Sequence, residues 1–201
     1  MLATFSGRNA SQSETELAAF VAFMLAAGCQ KYLEIGARHG DTFHHVAQAL
    51  GPASECVAVD MPGGSWGVAS SVKHLLSVKK DLVGRGHTKI AVVIGDSHSG
   101  DVIETCRAHA PFDFALIDAD HSYDAVAQDF RDYAPMAAYV AFHDIVGESQ
   151  STVRGGERIG VEVPRLWAEL KHKFESWEFV DDGSQMGIGV IKVNRQLEST
   201  T

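Results

Sequence analysis

The stretch Tyr32-Leu33-Glu34-Ile35-Gly36-Ala37-Arg38-His39-Gly40 decides the fold. It joins a short, mostly apolar run to a turn bracketed by two glycines, and the segment Asp41 to Leu50, closed by Gly51-Pro52, reads as the helix that follows. Glycine takes positive φ at little cost and lets a backbone approach a ligand closely, so strand, glycine turn and helix together make a nucleotide-type loop. Taken alone, the same residues also suit an ordinary strand-to-helix turn.

The alternation continues downstream. Cys56 to Asp60, Ile90 to Ile94, Phe112 to Asp118 and Ala138 to His143 are short apolar runs separated by helix-length segments, the pattern of strands buried on both faces. Upstream, Ser13-Glu14-Thr15-Glu16 is a capping box, followed by Leu17, Phe20, Val21, Met24 and Leu25 at helical spacing and by Gly28 as a stop, which predicts an amphipathic helix within residues 1–28. Near the carboxyl end, Trp177 to Asp181 and Ile188 to Val193 are too close together for a crossover helix and should pair as an antiparallel hairpin. Five βα units and a hairpin predict an α/β fold: a doubly wound, mostly parallel seven-stranded sheet with an antiparallel C-terminal hairpin, built as one domain over residues 1–201. Residues 147–160, rich in Gly, Ser and charge, read as a mobile loop. Ligands in such sheets sit beyond the carboxyl ends of the strands.

Composition narrows the partners. A chain of 201 residues with 45% hydrophobic and 21% charged content is an ordinary globular domain, and disorder, collagen and coiled coil are excluded. The longest apolar run, Leu17 to Ala27, is about half the ~20 residues that cross a bilayer. The amino terminus carries no basic region followed by an apolar one, so no membrane span and a cytoplasmic location are expected. Cys29, Cys56 and Cys106 are odd in number and widely spaced, which suits small buried apolar residues rather than a disulfide framework or a zinc site. A net charge of -9, with no basic stripe to offset it, repels phosphate backbones and argues against a nucleic-acid partner. The apolar stripe of the first helix could cover its own sheet or a partner subunit, which leaves a homo-oligomer open.

The residues at the strand ends carry the chemistry. Gly36 and Gly40 form G-x-x-x-G rather than the G-x-G-x-x-G of dinucleotide folds, and Glu34 before them suits a cationic ligand better than a pyrophosphate. Asp60, about twenty residues beyond the loop, can accept both hydroxyls of a ribose. Asp96 and Ser97 could hydrogen-bond an adenine amino group or cap the following helix. The fourth and fifth strands end side by side, so Asp118, His121, His143 and Asp144 could converge. Asp118 could instead cap the helix near Ser122, and His121 could be a structural histidine. His143 and Asp144 close an otherwise apolar strand, where ionisable groups are costly to bury unless paired or coordinated.

With these strand ends in register, residues 14–193 resemble the class I S-adenosylmethionine-dependent methyltransferases. Within them the chain looks most like the small O-methyltransferase branch that includes cephalosporin-hydroxylase-like and sugar O-methyltransferase relatives. The motifs that carry this are Val59-Asp60-Met61-Pro62-Gly63-Gly64, Leu116-Ile117-Asp118-Ala119-Asp120-His121-Ser122-Tyr123, Phe142-His143-Asp144 and Val163-Pro164-Arg165-Leu166-Trp167. The resemblance implies S-adenosylmethionine as donor, with Glu34, Gly36 and Gly40 at its methionine part, Asp60 at the ribose, Asp96 and Ser97 at the adenine, and Met61 and Asp118 also among the donor-binding residues. It implies a hydroxylated small molecule, such as a sugar or glycoside, as acceptor. It also implies a divalent metal on Asp118, His143 and Asp144, where a histidine replaces the usual oxygen ligand and shifts the preference from magnesium or calcium toward manganese, iron, cobalt or zinc. His121 or His143 would serve as general base without a metal, since imidazole titrates near working pH. Arg154 or Arg158 could contact an anionic acceptor, and Trp66 could cover the adenine. Two rivals are a non-heme iron oxygenase-like enzyme using His121, His143 and an aspartate, and a non-catalytic donor-binding module; a nicotinamide enzyme is disfavoured by the glycine spacing.

Overall fold

A computed structural model describes residues 12–63, 71–147, 152–154 and 157–193, with the side chains of 152–159 outside that description. Five strands alternate with helices: α1 (Glu14–Ala26), β1 (Lys31–Ile35), α2 (Asp41–Leu50), β2 (Glu55–Asp60), α3 (Ser71–Gly84), β3 (Lys89–Ile94), α4 (Gly100–His109), β4 (Phe112–Ile117), α5 (Tyr123–Tyr133) and β5 (Ala137–His143). Then come β6 (Thr152–Arg154), β7 (Glu157–Ile159), α6 (Val163–Leu170), β8 (Glu175–Phe179) and β9 (Ile188–Lys192). The main sheet has seven strands in the order β3-β2-β1-β4-β5-β9-β8. Its first five are parallel, while β9 runs antiparallel to both β5 and β8. The order reverses between β1 and β4, where strands diverge to opposite sides and open a crevice.

Both faces of the sheet are covered, which is why its strands read as continuous apolar runs. Leu33, Val57, Ala115 and Phe142 pack with α4, α5 and α6, while Tyr32, Cys56, Phe114 and Ala141 pack with α1, α2 and α3. The helix α1 covers its own sheet: Phe20 and Phe23 meet Phe114 and Phe179, and the Phe23 and Trp177 ring centroids lie 4.8 Å apart. All three cysteines are free and buried. Trp167 is a core residue, with its indole N–H donating to Glu178 at 2.5 Å.

Two local readings are corrected. The capping box is only half made, because Ser13 Oγ accepts from the Glu16 N–H at 3.5 Å while the Glu16 carboxylate turns away to accept from the Asp181 and Gly187 N–H groups. The segment 147–160 contains strand as well as loop, since Thr152–Arg154 pairs antiparallel with Glu157–Ile159. Ala137 and Ala138 begin β5 directly after a 3-10 turn over Ala134–Met136. Among the described residues, no helix is long and apolar enough to cross a membrane.

Candidate active site

The crevice is a cavity of about 410 Å³ beyond the carboxyl ends of the parallel strands. Glu34, Gly36, Asp60, Met61, Asp96, Ser97, Asp118, His121, His143 and Asp144 all border it, so one wall unites nearly every site residue expected from the sequence. Gly40 does not. It starts α2 at φ +82°, and a Cβ there would lie 2.7 Å from Leu75 and 3.2 Å from Val78, so this glycine is needed for packing against α3.

Gly36 is constrained more tightly. At φ +88°, an added Cβ would stand 2.2 Å from the Asp118 carbonyl oxygen and 2.5 Å from Ala119 Cα. The missing side chain therefore lets β1 and β4 turn into the cavity side by side, with the Asp118 N–H donating to the Ile35 carbonyl at 2.8 Å.

Glu34 is buried in this wall, accepting from the Tyr32 hydroxyl at 2.7 Å and from the Phe43 N–H in the first turn of α2. Burial pushes its carboxyl up to about 8 despite those hydrogen bonds. At the end of β2, burial likewise lifts Asp60 to about 6, although the Met61 and Arg38 N–H groups donate to it. Asp96 and Ser97 do not cap a helix, since α4 begins at Gly100 with Ser99 before it. Instead Asp96 Oδ1 accepts from the His98 N–H at 2.9 Å, and the Ser97 carbonyl accepts from Tyr133 at 2.7 Å. Trp66 lies outside the described residues, as do the side chains of Arg154 and Arg158.

At the ends of β4 and β5 two carboxylates and two imidazoles meet. His143 Nδ1 lies 3.3 Å from Asp118 Oδ1 and 3.3 Å from Asp144 Oδ1. His121 spans the same two acids, with Nε2 3.5 Å from Asp118 Oδ1 and Nδ1 3.0 Å from Asp144 Oδ2. Asp118 therefore caps no helix; Asp120 makes the turn before α5 by accepting from the Ser122 N–H at 2.8 Å. Asp144 holds φ +60°, a left-handed conformation that asparagine and aspartate tolerate best and that recurs at functional sites.

Burial alone would lower both imidazoles, but the Asp118 and Asp144 carboxylates outweigh it and push His121 up to about 9 and His143 up to about 10. The imidazoles in turn hold both carboxyls below the usual range against their own burial. The expectation that these histidines titrate near neutral pH is corrected: beside two carboxylates, both stay charged there.

Asp118, His143 and Asp144 each offer one ligand atom within 4.8 Å of the others. A divalent cation carries the same charge as the two protons on the imidazoles, so it fits between these carboxylates without leaving them uncompensated. Buried side-chain atoms of cavity-lining residues without a hydrogen-bond partner among the described residues include Asp60 Oδ2, His143 Nε2 and Gln12 Oε1, none of which lies in an ion pair, unlike His98 Nε2 and His121 Nδ1, which each have a carboxylate nearby. Such atoms are costly unless a ligand, ion or water completes them.

Sequence reasoning did not single out Gln12, His98 or Met186, which also line the cavity. His98 could have been found beside Ser97; its Nε2 lies 3.1 Å from Asp129 Oδ1, a fully buried acid of α5 that raises its pKa. Gln12 precedes α1 and Met186 lies between β8 and β9, so neither follows a parallel strand, the position at which ligands of such sheets are expected.

Residues 33–145 match the sequence model of a family described as methyltransferase domain. The chain belongs to that family. Its fold is the class I S-adenosylmethionine-dependent methyltransferase fold, shared with several solved structures at low sequence identity. The O-methyltransferase TomG from Streptomyces achromogenes, involved in tomaymycin synthesis and solved with SAM, is 18% identical with a TM-score of 0.66, over 92% of this chain and 82% of its own. An O-methyltransferase from Bacillus cereus, solved with SAH, is 16% identical with a TM-score of 0.63, over 94% of this chain and 84% of its own. Cofactor-bound Rv0187 from MTB is 17% identical with a TM-score of 0.66, over 94% of this chain and 83% of its own. No curated protein matches the chain.

Proposed function

We propose that the chain is a single-domain, cytoplasmic O-methyltransferase that moves a methyl group from S-adenosylmethionine to a hydroxyl of a small molecule such as a sugar or glycoside. The observation that carries this reading is the convergence of Asp118, His121, His143 and Asp144 at the same cavity that Gly36 and Asp60 border. Asp60 accepts the ribose hydroxyls through its unpartnered Oδ2, and Asp96 with Ser97 borders the adenine. The resemblance to sugar O-methyltransferases supports the acceptor class.

Methyl transfer is an in-line displacement: the new C–O bond forms as the C–S bond breaks, and the sulfonium charge disappears. The residues need to align the partners and take the hydroxyl proton. Both ring nitrogens of His121 face carboxylates, whereas His143 keeps Nε2 without a partner among the described residues, so His143 would accept that proton once it is itself neutral, with His121 bracing the two acids around it. Asp118, His143 and Asp144 would hold a divalent cation, and the mixed nitrogen and oxygen donor set suits manganese, iron, cobalt or zinc. A cation there would supply Lewis acidity that lowers the pKa of an acceptor hydroxyl.

The iron oxygenase-like and non-catalytic readings are not favoured, since the first leaves the donor loop, Asp60 and Asp96 without a purpose and the second leaves the charged cluster without one. Asp144→Ala is the test: methyl transfer from labelled S-adenosylmethionine should fall to background while S-adenosylhomocysteine still binds. Undiminished turnover in that variant would refute the assignment of the cluster.

A further inference from the structure

We propose that Gln12 is a donor-binding residue whose amide oxygen accepts a hydrogen bond from the α-ammonium group of the donor's methionine end. The inference rests on the methyltransferase reading of the cavity and deepens it with a residue outside every motif that suggested it.

Gln12 is fixed from both directions. The next residue, Ser13, starts α1 and donates its hydroxyl to Asp181 Oδ2, while Glu16 one turn later accepts from the Asp181 and Gly187 N–H groups, so the start of α1 is clamped to the connection between β8 and β9. Across the cavity, Gln12 Nε2 donates to Asp118 Oδ2 at 3.3 Å. That bond also fixes which way the amide points. Flipping it would set the carbonyl oxygen against a carboxylate oxygen, two acceptors with no donor between them, so Oε1 is the atom left unpaired.

Gln12 is only 7% exposed, and Oε1 has no partner among the described residues. A buried amide oxygen without a donor is costly, and what completes it must carry an N–H or O–H. Its place in the cavity selects which. Asp118 lies directly against Gly36, at the β1–β4 junction, the glycine-loop end of the cavity; Asp60, at the end of β2, marks the ribose end. An ammonium has three N–H donors and must be both charge-paired and hydrogen-bonded when buried. Glu34, another acid of that end, already accepts from Tyr32 and the Phe43 N–H, and burial pushes its carboxyl up to about 8. Asp118 meets both imidazoles through Oδ1, which leaves Oδ2 as the carboxylate oxygen that faces Gln12, and Gln12 supplies the open acceptor beside it.

The test compares two ligands by calorimetric titration of the full chain. S-adenosylhomocysteine carries the ammonium; its deaminated analogue 4-(5′-adenosylthio)butyrate keeps the adenosine, thioether and carboxylate but lacks it. Gln12→Met, close in volume and without an acceptor, should weaken S-adenosylhomocysteine about ten- to a hundred-fold, the range for a hydrogen bond to a charged group, and leave the analogue unchanged. Gln12→Leu, read in the same way, serves if the methionine variant does not fold. Equal weakening of both ligands in a folded variant would mean that Gln12 only shapes the wall, and unchanged affinity for both would mean that Oε1 touches neither; either result overturns the proposal. A wild-type chain that binds no S-adenosylhomocysteine would overturn the methyltransferase reading itself, a result distinct from both.

Discussion

His143 Nδ1 lies 3.3 Å from Asp118 Oδ1, joining the ends of two adjacent parallel strands by a buried ion pair. Because both histidines of the cluster are raised in the folded chain, from an ordinary 6.5 to about 9 and about 10, they stabilise it fully below pH 6.5 and lose that contribution as pH climbs through those values. Asp118 and Asp144 are lowered from 3.8, so their contribution is present above that value and is lost as pH falls through their folded values. Thermal melts of chelator-treated protein should therefore show a plateau across mildly acidic pH and a fall on the alkaline side. The double variant His121→Asn, His143→Asn should lack the alkaline fall; an identical profile would remove the ion pairs from the stability of the chain.

Catalysis should move with pH in the opposite sense. A base must be neutral to accept a proton, and His143 is protonated until about 10 in the cation-free chain. Methyl transfer by chelator-treated enzyme should rise with pH through that value, and His143→Asn should flatten the rise. A rate that is independent of pH across this range would exclude His143 as the base.

Gly36 and Gly28 share positive φ but differ in surroundings. Gly36→Ala would drive a Cβ into the Asp118 carbonyl at 2.2 Å, whereas a Cβ at Gly28 meets nothing within 4 Å. Chemical denaturation should give a loss of about 3 kcal/mol or more for Gly36→Ala and about 1–2 kcal/mol for Gly28→Ala. Equal losses would mean that backbone conformation alone, and not the close approach to Asp118, makes Gly36 necessary.

Glu16 ties α1 to the hairpin connection that carries Met186 to the cavity. Glu16→Ala leaves two N–H groups without their acceptor and should cost about 2 kcal/mol or more by denaturation, with Glu16→Gln losing less because one acceptor oxygen remains. No difference between the two variants would show that these hydrogen bonds carry no net stability.

The parts of this molecule legible in the sequence are those set by repeated local patterns. Apolar runs such as Cys56 to Asp60 and Phe112 to Ile117 are strands because both faces of the sheet are covered, and a carboxylate or imidazole closing such a run has to face the cavity. What was hidden depends on contacts between distant residues. Glu16 matches a capping box, yet its carboxylate serves residues more than 160 positions away, which no local pattern encodes. Gln12 reaches Asp118 across 106 positions for the same reason. The charge state of His121 and His143 is likewise illegible locally, because it depends on two carboxylates brought close only by the pairing of β4 with β5.

The most direct test of the account is a calorimetric titration of the chain with S-adenosylhomocysteine, repeated with NAD and then with the variant Asp60→Ala. The account predicts one S-adenosylhomocysteine site per chain, no heat with NAD, and affinity weakened at least about ten-fold when the Asp60 carboxylate is removed. Absence of S-adenosylhomocysteine binding, or binding of NAD in its place, would contradict it.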